Sequence, residues 1–292
     1  MRPKFSIDTQ FVRQIGPFTW LYRNIWRQLN KRIFKRDMYL RLPTGKRMLL
    51  PRNAPFASEV YLTHATIDWG ADAWFAGFAR KDRDFIDGGA NIGYYSLYLS
   101  PLVRRVYSFE PDPRNFDALK KNIAQSDNIT HVAKALSNQS CVVHFDVSNN
   151  SAIGGISDQG TLEVEALTLD AFVAANKDIS VGLIKSDVEG HDMALLEGAA
   201  ETIKRDQPLV FTEFLKNNEI LGKKNDPEKL FEFCRRFNYQ VYAHTYEAKR
   251  PRHFYMVPMQ KEDLDRIPFK MLFLTPPHLQ PQFIQACKKT SN

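Results

Sequence analysis

The chain of 292 residues is 43% hydrophobic and 25% charged, an ordinary globular composition that fits one large α/β domain with an extension, or two small domains. No apolar run approaches the length of a membrane span, and Lys4, Asp8 and Arg13 interrupt the N-terminus where a signal peptide needs its apolar core. The net charge of +7 is lopsided: residues 1–50 hold twelve Lys or Arg against two Asp, a local +10, which leaves about −3 for the other 242 residues and speaks against a nucleic-acid groove in the body.

Residues 8–36 read as helix. Phe11, Val12, Ile15, Phe18, Leu21, Tyr22, Ile25, Trp26, Leu29 and Ile33 recur at spacings of three and four, and Gly16-Pro17 breaks or kinks the run. This apolar stripe, with Trp20, stands beside Arg23, Arg27, Lys31, Arg32, Lys35 and Arg36. It is expected either to pack on the body with its charges in water, or to lie at the boundary of an anionic bilayer as a peripheral contact. Residues 38–50 resemble a β-hairpin about Pro43-Thr44-Gly45, and the aromatic-rich stretch 56–80 reads as helical.

From residue 84 the pattern is regular. Strands at 84–90 (DFIDGGA), 106–112 (VYSFEPD), 129–137, 181–190 and 208–214 alternate with helices from Tyr94, over 116–125, over 192–206 and over 227–237. CVVHFDVS and LEVEALTLD pair as a hairpin around NNSAIGGISDQG, and the stretches 239–246 and 270–276 close the sheet. Alternating strands and helices predict an α/β fold with a doubly wound, mostly parallel sheet, whose ligand sits at the carboxyl ends of the strands. Cys141, Cys234 and Cys287 have neither disulfide nor zinc spacing, so a reducing, cytoplasmic setting is expected.

The turn DGGANIG, residues 87–93, has three readings. A Walker loop fails, because Tyr94 and Tyr95 stand where Lys and a hydroxyl are required. A dinucleotide fingerprint lacks its middle glycine, and Asp87 would repel a pyrophosphate. An S-adenosylmethionine turn, Asp87-x-Gly89-x-x-x-Gly93, turns Asp87 into an asset, since an acid there meets the ammonium of the methionine end while the glycines make room for it. Glu110, 23 residues after Asp87 and at the end of the next strand, can accept hydrogen bonds from ribose hydroxyls. Ala135 and Leu136 can lie against an adenine, with Ser137 or Asn138 at its edge.

Five blocks, DGGANIGYYSLYLS, VYSFEPDPRNFDALKKNI, AKALSN with LTLD, IKSDVEGHDMALLEGA and PLVFTEF, resemble the FkbM family of S-adenosylmethionine-dependent methyltransferases over about residues 80–215. Ser186 departs from the pattern, where an apolar residue is usual. The resemblance implies a Rossmann-like class I methyltransferase sheet with an antiparallel last strand. It also implies O-methylation of a hydroxyl on a sugar, a glycan or glycolipid precursor, or a natural-product scaffold. The division expected is a basic, mainly helical extension over 1–79 and an S-adenosyl-L-methionine-binding domain over 80–292. The expected cofactor residues are Asp87, Gly89, Ala90, Asn91, Gly93, Glu110, Pro111, Ala135, Leu136 and Ser137. An NAD-dependent oxidoreductase and a non-catalytic adaptor are the rival readings.

Methyl transfer needs an acceptor oxygen held in line and a group to take its proton. Asp187, Glu189 and His191, in KSDVEGH after the fourth core strand, are the catalytic candidates. Asp187 and Glu189 could instead share a divalent ion, but no metal site is expected. Glu213, at the end of the fifth strand, and Asn150 and Ser151 in the polar loop are the acceptor-binding candidates. The other six histidines have no metal-ligand spacing.

Overall fold

In a computed structural model the residues described are 9–147, 154–214, 217–218, 223–224, 226–247, 250–264 and 271–288. Chain order begins with α1 (Thr9–Ile15), α2 (Pro17–Gln28), which runs on through a π-helical turn at Leu29–Ile33, and the hairpin β1 (Met38–Arg41) and β2 (Arg47–Leu50). Next are α3 (Pro55–Thr63), α4 (Ala71–Ala76), β3 (Asp84–Gly88), α5 (Tyr94–Leu99), β4 (Val106–Phe109), α6 (Pro113–Ile123) and β5 (Ile129–Val132). A smaller unit follows: β6 (Ala135–Leu136), β7 (Cys141–Asp146), β8 (Gly155–Ile156) and β9 (Leu162–Leu167). The chain continues through α7 (Leu169–Ala175), β10 (Val181–Ser186), α8 (Asp192–Glu197), α9 (Ala200–Asp206) and β11 (Leu209–Glu213). A two-residue ladder, β12 (Asn217–Asn218) with β13 (Lys223–Lys224), precedes α10 (Pro227–Phe237), β14 (Gln240–Glu247), β15 (Arg250–Pro258), β16 (Met271–Thr275) and α11 (Gln280–Lys288).

The main sheet runs β15-β14-β16-β11-β10-β3-β4-β5. The five strands from β11 to β5 are parallel, and β16, last in the chain, is antiparallel to both of its neighbours. This is the Rossmann-like class I methyltransferase arrangement. Alternation along the strands divides the core between the two sheet faces. Phe85, Leu183, Phe211 and Phe273 enter one cluster with Phe75, Leu97 and Phe283, while Ile86, Ile184, Val210 and Leu272 enter the other with Leu195, Ile203 and Leu230. The first cluster also takes Leu42, Met48, Leu50, Val60 and Ile67, so the buried core runs without interruption across residue 80.

Local chemistry starts the helices. Asp112 and Asp226 cap α6 and α10, each accepting from a backbone N–H two residues on, with Pro at the first helical position. Several expected elements are divided. The strand expected over 129–137 ends at Val132, and Ala135–Leu136 crosses into the smaller sheet to pair with β9. The helix expected over 192–206 breaks at Gly198, where a Cβ would stand 2.0 Å from the Ser137 carbonyl oxygen. The helical stretch 56–80 is two helices, parted by positive φ angles at His64, Ala65, Trp69 and Gly70. β15, α7 and α11 were not anticipated. Among the described residues no helix is long and apolar enough to cross a membrane.

Candidate functional site

Strand order reverses at β3: the chain steps outward through β4 and β5, then returns to β10 and β11 on the other side. Loops leaving the carboxyl ends at such a reversal diverge and leave a crevice. Here it is a cleft with an empty volume of about 820 Å³, including its open mouth. Its lining includes Gly89, Ala90, Asn91, Glu110, Pro111, Ala135 and Leu136 from the expected cofactor set, and all three catalytic candidates, Asp187, Glu189 and His191. Asp87, Gly93, Ser137 and Glu213 are not among its lining residues. Asn150 and Ser151 lie outside the described residues.

The turn after β3 holds positive φ at Gly89, Asn91 and Gly93. Its glycines are required by the protein's own packing, and Gly89 also lines the cleft. A Cβ on Gly89 would stand 2.0 Å from the Asp187 carbonyl oxygen, and one on Gly93 2.8 Å from Leu119 Cδ1. The turn is thereby pressed onto the loop after β10. Asn91 N donates to Glu110 Oε2 at 2.7 Å, and Asp112 N donates to Oε1 at 2.9 Å. Burial pushes the Glu110 carboxyl up to about 7, against the pull of these donors.

Three charged groups meet at the ends of β3 and β10. Lys185 Nζ lies 3.3 Å from Asp187 Oδ2 and 3.9 Å from Asp87 Oδ1, and donates to the Gly89 carbonyl at 3.0 Å. Burial pulls the ammonium down, but Asp187 and Asp87 outweigh it and its pKa is raised. Lys185 is therefore a fixed cation, not a base. Burial pushes Asp87 up, with Lys185 and Ser96 opposing. Asp87 Oδ2 accepts from Ser96 Oγ at 2.5 Å, while the buried Oδ1 has no hydrogen-bond partner.

The loop after β10 is tied by Asp192, which accepts from Ser186 Oγ at 2.6 Å, Gly190 N at 3.1 Å and Val188 N at 3.2 Å. This gives Ser186 its use: the hydroxyl anchors the loop that carries Asp187. Glu189 sits at φ 54, and His191 Nε2 lies 2.9 Å from Ser137 Oγ. Since Ser186, the last residue of β10, pairs with Thr212, Glu213 follows on β11 level with Asp187 at the start of the loop after β10. Among the described residues no group of three or more His, Cys, Asp or Glu is placed to hold a metal ion.

Segment 55–76 and the first turn of α5 supply groups that the sequence reading did not single out. Phe56, Tyr94 and Tyr95 line the cleft, Tyr95 Oη donates to Asp68, and Tyr94 Oη donates to Asp72 Oδ2 at 2.6 Å. Burial pushes Asp68 up to about 7, with Asp72 and Asp187 adding to it and Tyr95 and Lys185 opposing. Burial likewise raises Asp72 to about 6. Two acids inside the apolar stretch TIDWGADAWF, and a lysine inside the buried strand VGLIKS, were the available signals, since unbridged charges are rarely buried.

The methyltransferase FkbM domain matches residues 87–241, more than half of the chain. The hexuronic acid methyltransferase AglP of Haloferax volcanii is 28% identical over 129 residues, which cover 43% of this chain and 54% of that protein. The chain thus spans about half the length of that relative. A crystal structure of methyltransferase FkbM from Methylobacillus flagellatus is similar with a TM-score of 0.44 at 14% identity, covering 74% of this chain and 54% of that one. The tRNA (uracil-54, C5)-methyltransferase of Pyrococcus abyssi, in complex with S-adenosyl-L-homocysteine, is similar with a TM-score of 0.40 at 10% identity, covering 82% of this chain and 43% of that one.

Proposed function

The chain belongs to the FkbM methyltransferase family, and from that premise we propose that it transfers a methyl group from S-adenosylmethionine to a hydroxyl of a sugar or glycan acceptor. The observation that carries this reading is Glu110. Its carboxyl is buried at the cleft, held by a backbone donor on each oxygen and by the Asn115 side chain, and a carboxylate has about four acceptor sites for these three donors, so it can still accept from a ribose hydroxyl. The other residues fit the same ligand. Ala135 and Leu136 give an apolar wall for a base, Gly89, Ala90 and Asn91 face the amino-acid end, and the buried Asp87 carboxylate lies behind the turn, paired with Lys185, where it adds negative potential toward an ammonium. When bound, S-adenosylmethionine supplies an electrophilic methyl group.

This chain's own part is to orient the acceptor and take its proton. Asp187 is the proposed proton acceptor: it faces the cleft, and Lys185 at 3.3 Å fixes its carboxylate. The Lys185 ammonium also stabilises negative charge that develops on an acceptor oxygen. Glu189 and His191 line the same wall and are proposed to position the acceptor; Glu213, outside the lining, is proposed to reach it from the neighbouring strand end. A sugar acceptor is supported by the uronic acid methyltransferase among the relatives. A nucleic-acid acceptor is disfavoured, because the charge outside residues 1–50 sums to about −3.

Calorimetry with S-adenosylhomocysteine and with NAD, followed by transfer of labelled methyl to uronic acid oligosaccharides and to RNA, tests the reading. Binding of S-adenosylhomocysteine alone, with label in the saccharide, is expected. NAD binding, or label only in RNA, overturns it.

A further inference from the structure

The N-terminal helix is docked the wrong way round for a soluble surface helix. Such a helix ordinarily buries its apolar stripe and turns its charges to water. In α2 the apolar residues at spacings of three and four face solvent: Phe18 is 87% exposed, Leu21 52%, Tyr22 68% and Ile25 51%. The opposite face is polar and buried. Arg27 is fully buried, donating to the Leu50 carbonyl at 3.2 Å, the Pro51 carbonyl at 2.7 Å and Ser58 Oγ at 3.3 Å. Arg23 donates to the Leu62 carbonyl at 2.7 Å, and Gln14 to the Thr66 carbonyl at 2.5 Å. The arginines hold the helix through carbonyl oxygens at and just past the end of β2 and in the last turn of α3. The expectation that the stripe packs on the body is thus reversed along α2, while Phe11, Val12, Ile15 and Leu29 are half-buried.

The outward face continues through Trp26, Ile33 and Phe34, all exposed. Around it stand Lys31, Arg32, Lys35 and Arg36, and residues 9–36 contain seven Lys or Arg and no acid. Large contiguous apolar patches on a soluble chain mark an interaction surface. A second copy of this chain in a two-fold contact would set this face against itself and oppose its cations. The charge suits a polyanion, and the aromatic and aliphatic side chains suit a surface they can enter. We infer that α2 and the turn after it form a docking surface for an anionic lipid bilayer, with Phe18, Leu21, Tyr22 and Ile25 in the interfacial layer and the lysines and arginines at the lipid phosphates. Helix α3, on which α2 is seated, carries Phe56 into the wall of the cleft, so the docked face and the cleft share one supporting helix.

The test is cosedimentation of the full chain with vesicles of phosphatidylcholine alone and mixed with phosphatidylglycerol, at low and high salt. Binding to the mixed vesicles only, weakened by salt, is expected. The variant Phe18→Ser/Tyr22→Ser/Ile25→Ser should lose it. Lys31→Glu and Arg32→Glu should each weaken partition by about fivefold or more. These side chains are outside the core, so thermal unfolding of the variants should match the parent; Phe18→Ala serves as the mildest replacement. Equal partition of the parent and the triple variant overturns the inference. So does concentration-dependent dimerisation that the triple variant abolishes in the absence of vesicle binding, which would give the face to a second copy.

Discussion

The Lys185 ammonium stands 3.3 Å from the Asp187 carboxylate at the edge of the cleft, with Asp87 3.9 Å away on its buried side. One lysine inside a core strand therefore links the acid of the glycine turn to the acid at the mouth. Removing one partner of a buried pair leaves an uncompensated charge, so Lys185→Met is expected to destabilise the fold by about 3–5 kcal/mol, read by urea unfolding. Adding Asp87→Asn should recover part of that loss. A Lys185→Met protein as stable as the parent would remove the ion pair from the account.

Asp187 is about one-third exposed, and although it pairs with Lys185, Asp187→Asn keeps the side chain's size and leaves Asp87 as counter-charge to the lysine. Asp187→Asn should fold normally and bind S-adenosylhomocysteine as the parent does. Turnover should fall by about two to four decades, the range for loss of a positioned proton acceptor. Full activity in this variant would exclude Asp187 from proton transfer.

Glu110 couples ligand binding to pH. Burial sets its carboxyl at about 7 in the free protein, while hydroxyl donors from a ribose favour the carboxylate. S-adenosylhomocysteine affinity should therefore rise from pH 6 to pH 8, with proton release on binding. Calorimetry in two buffers of different ionisation enthalpy measures that release. Glu110→Ala should cost roughly 1.5–3 kcal/mol in affinity, about one to two decades in Kd. An affinity independent of pH and of this substitution would place the ribose elsewhere.

Glu110 and Asp68 at about 7, and Asp72 and Asp192 at about 6, are all carboxyls raised first by burial. A carboxyl whose pKa is higher in the folded state binds more protons there than in the unfolded chain. Its contribution is complete below the ordinary carboxyl range and is lost as pH rises through its folded value. The ligand-free protein should accordingly lose stability between about pH 5 and pH 8. Asp72→Asn, which keeps an acceptor for Tyr94, should flatten that slope in thermal melts. A slope of the opposite sign would show that these acids are ionised by their neighbours.

Gly89→Ala meets both a φ of +77 and the Asp187 carbonyl at 2.0 Å. About 1–3 kcal/mol of backbone strain is expected before the clash is counted. The variant should melt early and bind S-adenosylhomocysteine weakly, because the turn must lift off the loop after β10. A stable variant with unchanged affinity would show that the two loops are free to separate.

The sequence by itself determined the strand, glycine turn and helix of residues 84–99, the carboxylate of Glu110 at the next strand end, and the hairpin at 38–50. Each is written in a short-range signal: alternation, helical spacing, or a turn that only certain residues tolerate. Other features were decided through space. Lys185 and Asp87 belong to neighbouring parallel strands almost a hundred residues apart, and their meeting depends on the register that pairs Lys185 with Asp87. Asp68 reaches the site only because the left-handed residues between α3 and α4 fold that segment over α5. The N-terminal helix makes the difference plainest. Its periodicity announced two faces, one apolar and one basic, but not which of them would dock. That depended on the acceptors the body offers at the helix seat, the carbonyl oxygens of Leu50, Pro51 and Leu62, which guanidinium groups satisfy and apolar side chains do not.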